Sequence, residues 1–129
     1  MVEKGYTLIE ILVVVAIIAI LSSIILVPIT SHIKRAKDAN FKTMVSSIGP
    51  QLRMCCDTEG GLIQDINGGD ICVPPLKALY PDATALGVIT INQNCNDGNF
   101  EVVLRPGLKN KGDCQETLCS QDGCDYSCP

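Results

Sequence analysis

Tryptophan is absent from this 129-residue sequence, histidine occurs once, and aromatic residues make up 4%. Five rings, Tyr6, Phe41, Tyr80, Phe100 and Tyr126, are too few for a stacked electron path. A Ser-His-Asp or Cys-His site would have to use His32, and catalysis of that kind needs several converging groups. His32 reads instead as a polar residue at an interface. Basic residues are also scarce: ten Lys and Arg against fourteen Asp and Glu give a net charge of −4. Phosphate binding needs clustered cations, so no nucleic-acid partner is expected. The one basic cluster is Lys34, Arg35 and Lys37. No C-x-x-C is present, which argues against a redox pair and against the tight zinc knuckle.

Cysteine itself is plentiful. Cys55, Cys56, Cys72, Cys95, Cys114, Cys119, Cys124 and Cys128 are an even set, all beyond the apolar N-terminal run. In a small domain this favours disulfides in an oxidising compartment over metal, although C-x4-C spacing does occur at Cys114 and Cys119 and at Cys119 and Cys124. Eight cysteines allow about 105 complete pairings, so the connectivity is open. Asp65-x-Asn67-x-x-Asp70 has part of a calcium loop but lacks the full spacing and the distal Glu. Turn chemistry is the preferred reading, calcium the alternative, and no cofactor, metal site or catalytic residue is expected.

The apolar excess lies before residue 30. Between Tyr6 and Ile29 the only charged residue is Glu10, and residues 11–21 are unbroken apolar sequence. At ~1.5 Å per residue the segment spans about 36 Å, enough to cross a bilayer. A cleaved secretory signal would be followed by a small-residue exit site, and none is present. A plain anchor fits the length but leaves Glu10 unexplained, since a carboxylate at bilayer depth costs on the order of 2–3 kcal/mol.

The run Gly5-Tyr6-Thr7-Leu8-Ile9-Glu10-Ile11-Leu12-Val13-Val14-Val15 resembles the N-terminus of bacterial type IV prepilins and type II secretion pseudopilins. The resemblance covers residues 5–23. It implies cleavage between Gly5 and Tyr6 by a membrane prepilin peptidase, N-methylation of Tyr6, and filament assembly in which Glu10 meets the terminal amine of a neighbouring copy. Tyr6 stands where the family usually has Phe. The implied partners are the peptidase, an inner-membrane assembly platform, membrane lipid before assembly, and further copies or related pilins. The implied location is a single-pass inner-membrane precursor, N-terminus inside, and then a periplasmic or cell-surface filament. The chemistry agrees: Glu10 lies one helical turn after Tyr6 on the same face, and a buried carboxylate and a buried ammonium each need a partner. The cations at 34, 35 and 37 point the other way, because positive charge favours the cytoplasmic side. The cysteines and the resemblance outweigh that bias.

Beyond the apolar run, Phe41, Met44, Val45, Ile48, Leu52 and Cys55 recur at helical spacing. We expect helix over residues 7–57 with irregularities at Pro28 and at Gly49-Pro50, ended by Gly60-Gly61. Strands are expected at 87–92 and 100–104 around the Asn96-Asp97-Gly98-Asn99 turn, with a weaker hairpin of 62–66 and 71–73. The tail from Gly107 has few apolar residues and reads as stapled loops. The expected fold is α+β. A long N-terminal helix, half membrane anchor and half amphipathic, packs on a small antiparallel sheet with disulfide-rich C-terminal loops. The organisation is leader 1–5, membrane and fibre-core helix 6–30, amphipathic continuation 31–58, and β-rich stapled domain 59–129. A pilus subunit is favoured over a secretion pseudopilin, because Tyr80-Pro81 comes too late for the pseudopilin loop pattern. A monomeric membrane-anchored cysteine-rich binding module is the reading from another class.

Overall fold

A computed structural model describes residues 5–25 and 29–128. The expected leader thus lies outside the described residues except for Gly5, and the Pro28 kink lies outside them altogether. Two compact units are present, the first ending at His32 and the second beginning at Ile33.

In the first unit, α1 (Leu8–Ile25) is apolar on every side, and none of its residues is buried. A helix without a polar face has no core to turn away from, and this is the pattern of a helix made for lipid or for a bundle of like helices. Ser22 and Ser23 do not break it, because their hydroxyls donate to the carbonyls of Ile18 and Ile20 within the helix.

α2 (Ile29–Asp57) is amphipathic, as the spacing predicts. Phe41, Val45, Ile48, Leu52 and Cys55 are buried, and Met44 is half-buried against the same cluster. Gly49-Pro50 does not end the helix. Pro50 lacks an N–H and forfeits one helical hydrogen bond, yet Ile48, Gly49 and Leu52 are all buried around it. Burial of that face holds the helix through the break. Termination follows at Thr58, which donates to the Met54 and Cys55 carbonyls, and Gly60 then adopts φ 72°.

The sheet has four antiparallel strands in the order β3 (Leu86–Asn96), β4 (Asn99–Pro106), β5 (Glu116–Ser120) and β6 (Gly123–Ser127). A separate short ladder joins β1 (Leu62–Ile63) to β2 (Cys72–Val73), pairing Leu62 with Val73 and Ile63 with Cys72. Asn96 pairs with Asn99 across Asp97 and Gly98, both at positive φ, the two-residue turn whose twist suits a hairpin. β4 alternates cleanly, with Phe100, Val102 and Leu104 buried against the α2 stripe. Asn94 joins β1 to β3 by acting as a strand edge: the Ile63 N–H donates to its Oδ1 at 2.8 Å, and its Nδ2 donates to the Ile63 carbonyl at 2.9 Å.

The tail is stapled, and it also contributes strands that the sequence reading did not expect. Cys119–Cys124 and Cys114–Cys128 close the two ends of the β5–β6 hairpin. Cys55–Cys72 and Cys56–Cys95 tie the last turn of α2 to β2 and β3. A second tie runs from the tail to the other part of α2. The Asp38 carboxylate accepts the N–H groups of Asp113 and Cys114 at 3.2 and 2.9 Å, and Lys34 pairs with Asp113 at 3.2 Å. Gly112 makes this approach possible, since a side chain there would meet the Asp38 carboxylate.

Candidate processing and assembly site

Gly5, Tyr6 and Thr7 precede α1 without regular structure, and Tyr6 is 84% exposed. A backbone that is free of regular structure and exposed is the form a peptidase can take into its site. Tyr6, Ile9, Glu10 and Val13 follow at helical spacing and line one shallow hollow. The bonds at the start of α1 are specific. Glu10 Oε2 accepts the Thr7 N–H at 3.0 Å and the Thr7 hydroxyl at 3.1 Å. In return, the Glu10 N–H donates to Thr7 Oγ1 at 3.4 Å.

This is a capping box. Thr7 and Glu10 satisfy each other's backbone donors at the end of the helix, where four N–H groups lack intrahelical partners. The sequence carries this signal as Thr7-x-x-Glu10, so Glu10 is a helix cap as well as a charge that needs a counter-ion. Both Thr7 bonds fall on one carboxylate oxygen. Oε1 has no hydrogen-bond partner among the described residues. The cap therefore aims the carboxylate at the helix start and leaves one oxygen open.

The cysteines offer no thiolate to a metal, because all eight are in disulfides. Of the partial calcium loop, Asn67 is used structurally: its Nδ2 donates to the Leu86 and Gly87 carbonyls at 2.6 and 3.0 Å. No three His, Cys, Asp or Glu side chains cluster as metal ligands among the described residues. An open hollow of about 680 Å³ beside β4 is lined by Val88, Arg105, Leu108 and Lys111. Its ion pair, Arg105 with Glu116 at 3.1 Å, sets no base beside a nucleophile. His32 is exposed on α2.

Comparison with known proteins bears on this N-terminal constellation first. Residues 1–26 match the family described as the prokaryotic N-terminal methylation motif. The chain is also 30% identical over 111 residues to prepilin peptidase-dependent protein D of Escherichia coli (strain K12), a match covering 84% of this chain and 75% of that protein. The chain belongs to the type IV pilin and pseudopilin family. No solved structure matches it. Membership accounts for the two-part build: a pilin-family subunit needs an apolar helix that suits a membrane-anchored precursor, and a folded head that keeps its own core. It also identifies the chain as one of a structural, filament-forming class.

Proposed function

We propose that this chain is a type IV pilin-like structural subunit, cut between Gly5 and Tyr6 by a prepilin peptidase, N-methylated on Tyr6 and polymerised into an extracytoplasmic helical filament. The precursor spans the inner membrane once, with its N-terminus in the cytoplasm and its head outside, where four disulfides are stable. The assembly platform and other copies or related pilins are its partners, and its task is polymerisation rather than catalysis. The observation that carries this reading is Glu10: the lone acid of a helix otherwise apolar on all sides, capped by Thr7 through one oxygen, with the other open one turn from Tyr6. Cleavage creates an ammonium at Tyr6. In a lipid-like fibre core that ammonium and the open oxygen of a neighbouring Glu10 neutralise each other. A pilus is favoured over a secretion pseudopilus, because the eight cysteines and the plain β3–β4 hairpin occupy the region where the pseudopilin loop pattern would lie.

Two variants separate charge from cap. Glu10→Gln keeps the capping box, since Gln serves at that position, and removes the charge. Glu10→Ala removes both. Filaments sheared from cells should be absent for both variants, while mass spectrometry still finds each cleaved and methylated at Tyr6. Normal filaments from Glu10→Gln would reduce Glu10 to a cap. A native chain that retains Met1 and never polymerises would point instead to a monomeric anchored binding module.

A further inference from the structure

Three cations of the second unit have a defined side-chain partner. Lys34 pairs with Asp113, Arg105 with Glu116, and Lys42 lies 5.8 Å over the Tyr126 ring. Arg35 and Lys37, like Arg53, Lys77 and Lys111, have no ion pair or hydrogen-bond partner among the described residues; their position sets them apart, next to Lys34 and just beyond the apolar segment in sequence. Such charges oppose transfer of their end of the helix across a membrane. Among the described residues they have no counter-ion to offset that cost.

Helix geometry narrows what the counter-ion can be. At about 100° per residue, Lys34 lies within about 40° of Asp38, on the side that meets the tail. Arg35 and Lys37 stand about 160° apart, on opposite flanks of α2. A folded partner docks against one side of a helix and would meet one of them. A layer of lipid headgroups surrounds the helix and meets both. The side chains suit that layer: Ile33, just before them, is half exposed, Lys37 is half-buried, and Arg35 is exposed. Long cationic side chains lay their stems on apolar surface and extend their charge to the interface, and a guanidinium takes a phosphate through paired hydrogen bonds.

We propose that Arg35 and Lys37 form a collar on α2 that binds the phosphates of anionic lipid headgroups, holding the unassembled subunit at a fixed height in the bilayer. This rests on the reading of the chain as a membrane-anchored precursor. Lys34 is excluded from the collar by its tie to Asp113.

The full-length chain is reconstituted into nanodiscs of equal parts phosphatidylcholine and phosphatidylglycerol and released in a mass spectrometer, and the lipids that stay attached are identified. Wild type should retain phosphatidylglycerol preferentially. The double variant R35Q/K37Q should lose that preference, by about fivefold for each cation removed. K77Q/K111Q, which removes the same charge from the head, should behave as wild type, with unchanged thermal unfolding in all three. Equal phosphatidylglycerol retention by R35Q/K37Q overturns the collar. Carboxylate crosslinks from Lys37 to a second copy, formed equally with and without phosphatidylglycerol, also overturn it and assign the charges to subunit contact. A chain that will not enter nanodiscs at all sinks the anchor reading and the collar with it, whereas entry without lipid preference sinks the collar alone.

Discussion

Tyr80 is 2% exposed, and its hydroxyl has no hydrogen-bond partner in the described structure. Burial, and then the nearby Asp65 charge, push its phenol well above the ordinary tyrosine range. An unpaired buried hydroxyl costs about 1–3 kcal/mol. Removing it while keeping the ring should therefore leave stability unchanged or raise it. The pH dependence has a definite sign. The phenol is held neutral in the folded state, while the unfolded chain releases its proton near pH 10. Stability is thus full below about pH 10 and falls as pH rises further, because the unfolded state then binds fewer protons. Tyr80→Phe should unfold at equal or higher urea concentration at pH 7, by up to about 1 kcal/mol, and should lose less stability than wild type between pH 9 and pH 11. A variant clearly less stable at pH 7 would mean that the hydroxyl has a partner, such as a bound water. Glu10 teaches the converse lesson about single residues. Its unusual position was plain from the chain alone, but its cap on Thr7 requires reading three positions together, and only the geometry shows that one oxygen stays open.

Among the elements, α2 and the β3–β4 hairpin were legible because their patterns are strong. Phe41, Val45, Ile48, Leu52 and Cys55 repeat at helical spacing, and Asp97-Gly98 is a turn with little alternative. The β5–β6 hairpin was not legible, and β5 shows why. Its buried residues are Thr117 and Cys119, whereas its one aliphatic residue, Leu118, faces outward at 41% exposure. A search for alternating apolar residues reads that strand with the wrong face inward, or not at all. Gly49 belongs to the irregularity expected at Gly49-Pro50, yet the structure uses it as a contact. A Cβ there would lie 3.2 Å from Cys124 Sγ, a sulfur fixed by its bond to Cys119. Helix propensity alone says that Gly49→Ala gains about 1 kcal/mol. The fixed sulfur should reverse that sign, since overpacking costs about 1–3 kcal/mol. In a Cys119→Ala/Cys124→Ala background the same substitution should recover the propensity gain. Denaturant midpoints for the four corners of this cycle check the argument, and additive effects would show that the contact is not felt.

At the scale of the whole molecule, the second unit must fold on a modest core, and chains of about a hundred residues bury a limited share of their surface. Much of its order comes from where the four disulfides sit. They are not equivalent. Cys56–Cys95 closes a loop with a sequence separation of 39 and joins α2 to the far end of β3. Cys119–Cys124 closes one of only 5 and joins neighbours already paired in the β5–β6 ladder. In the chain-entropy account a crosslink stabilises by restricting the unfolded state, more so for longer loops. That gives about 4 kcal/mol for the first bond and about 2 kcal/mol for the second. Replacing Cys56 and Cys95 together by Ala should therefore lower the unfolding free energy roughly twice as much as replacing Cys119 and Cys124. Cys119 is fully buried, so its replacement also leaves a small void and brings the two losses somewhat closer. Urea unfolding of the two double variants measures the order directly. If the hairpin bond proved the costlier, Cys119–Cys124 would be stabilising the folded packing on Gly49 rather than limiting the freedom of the unfolded chain.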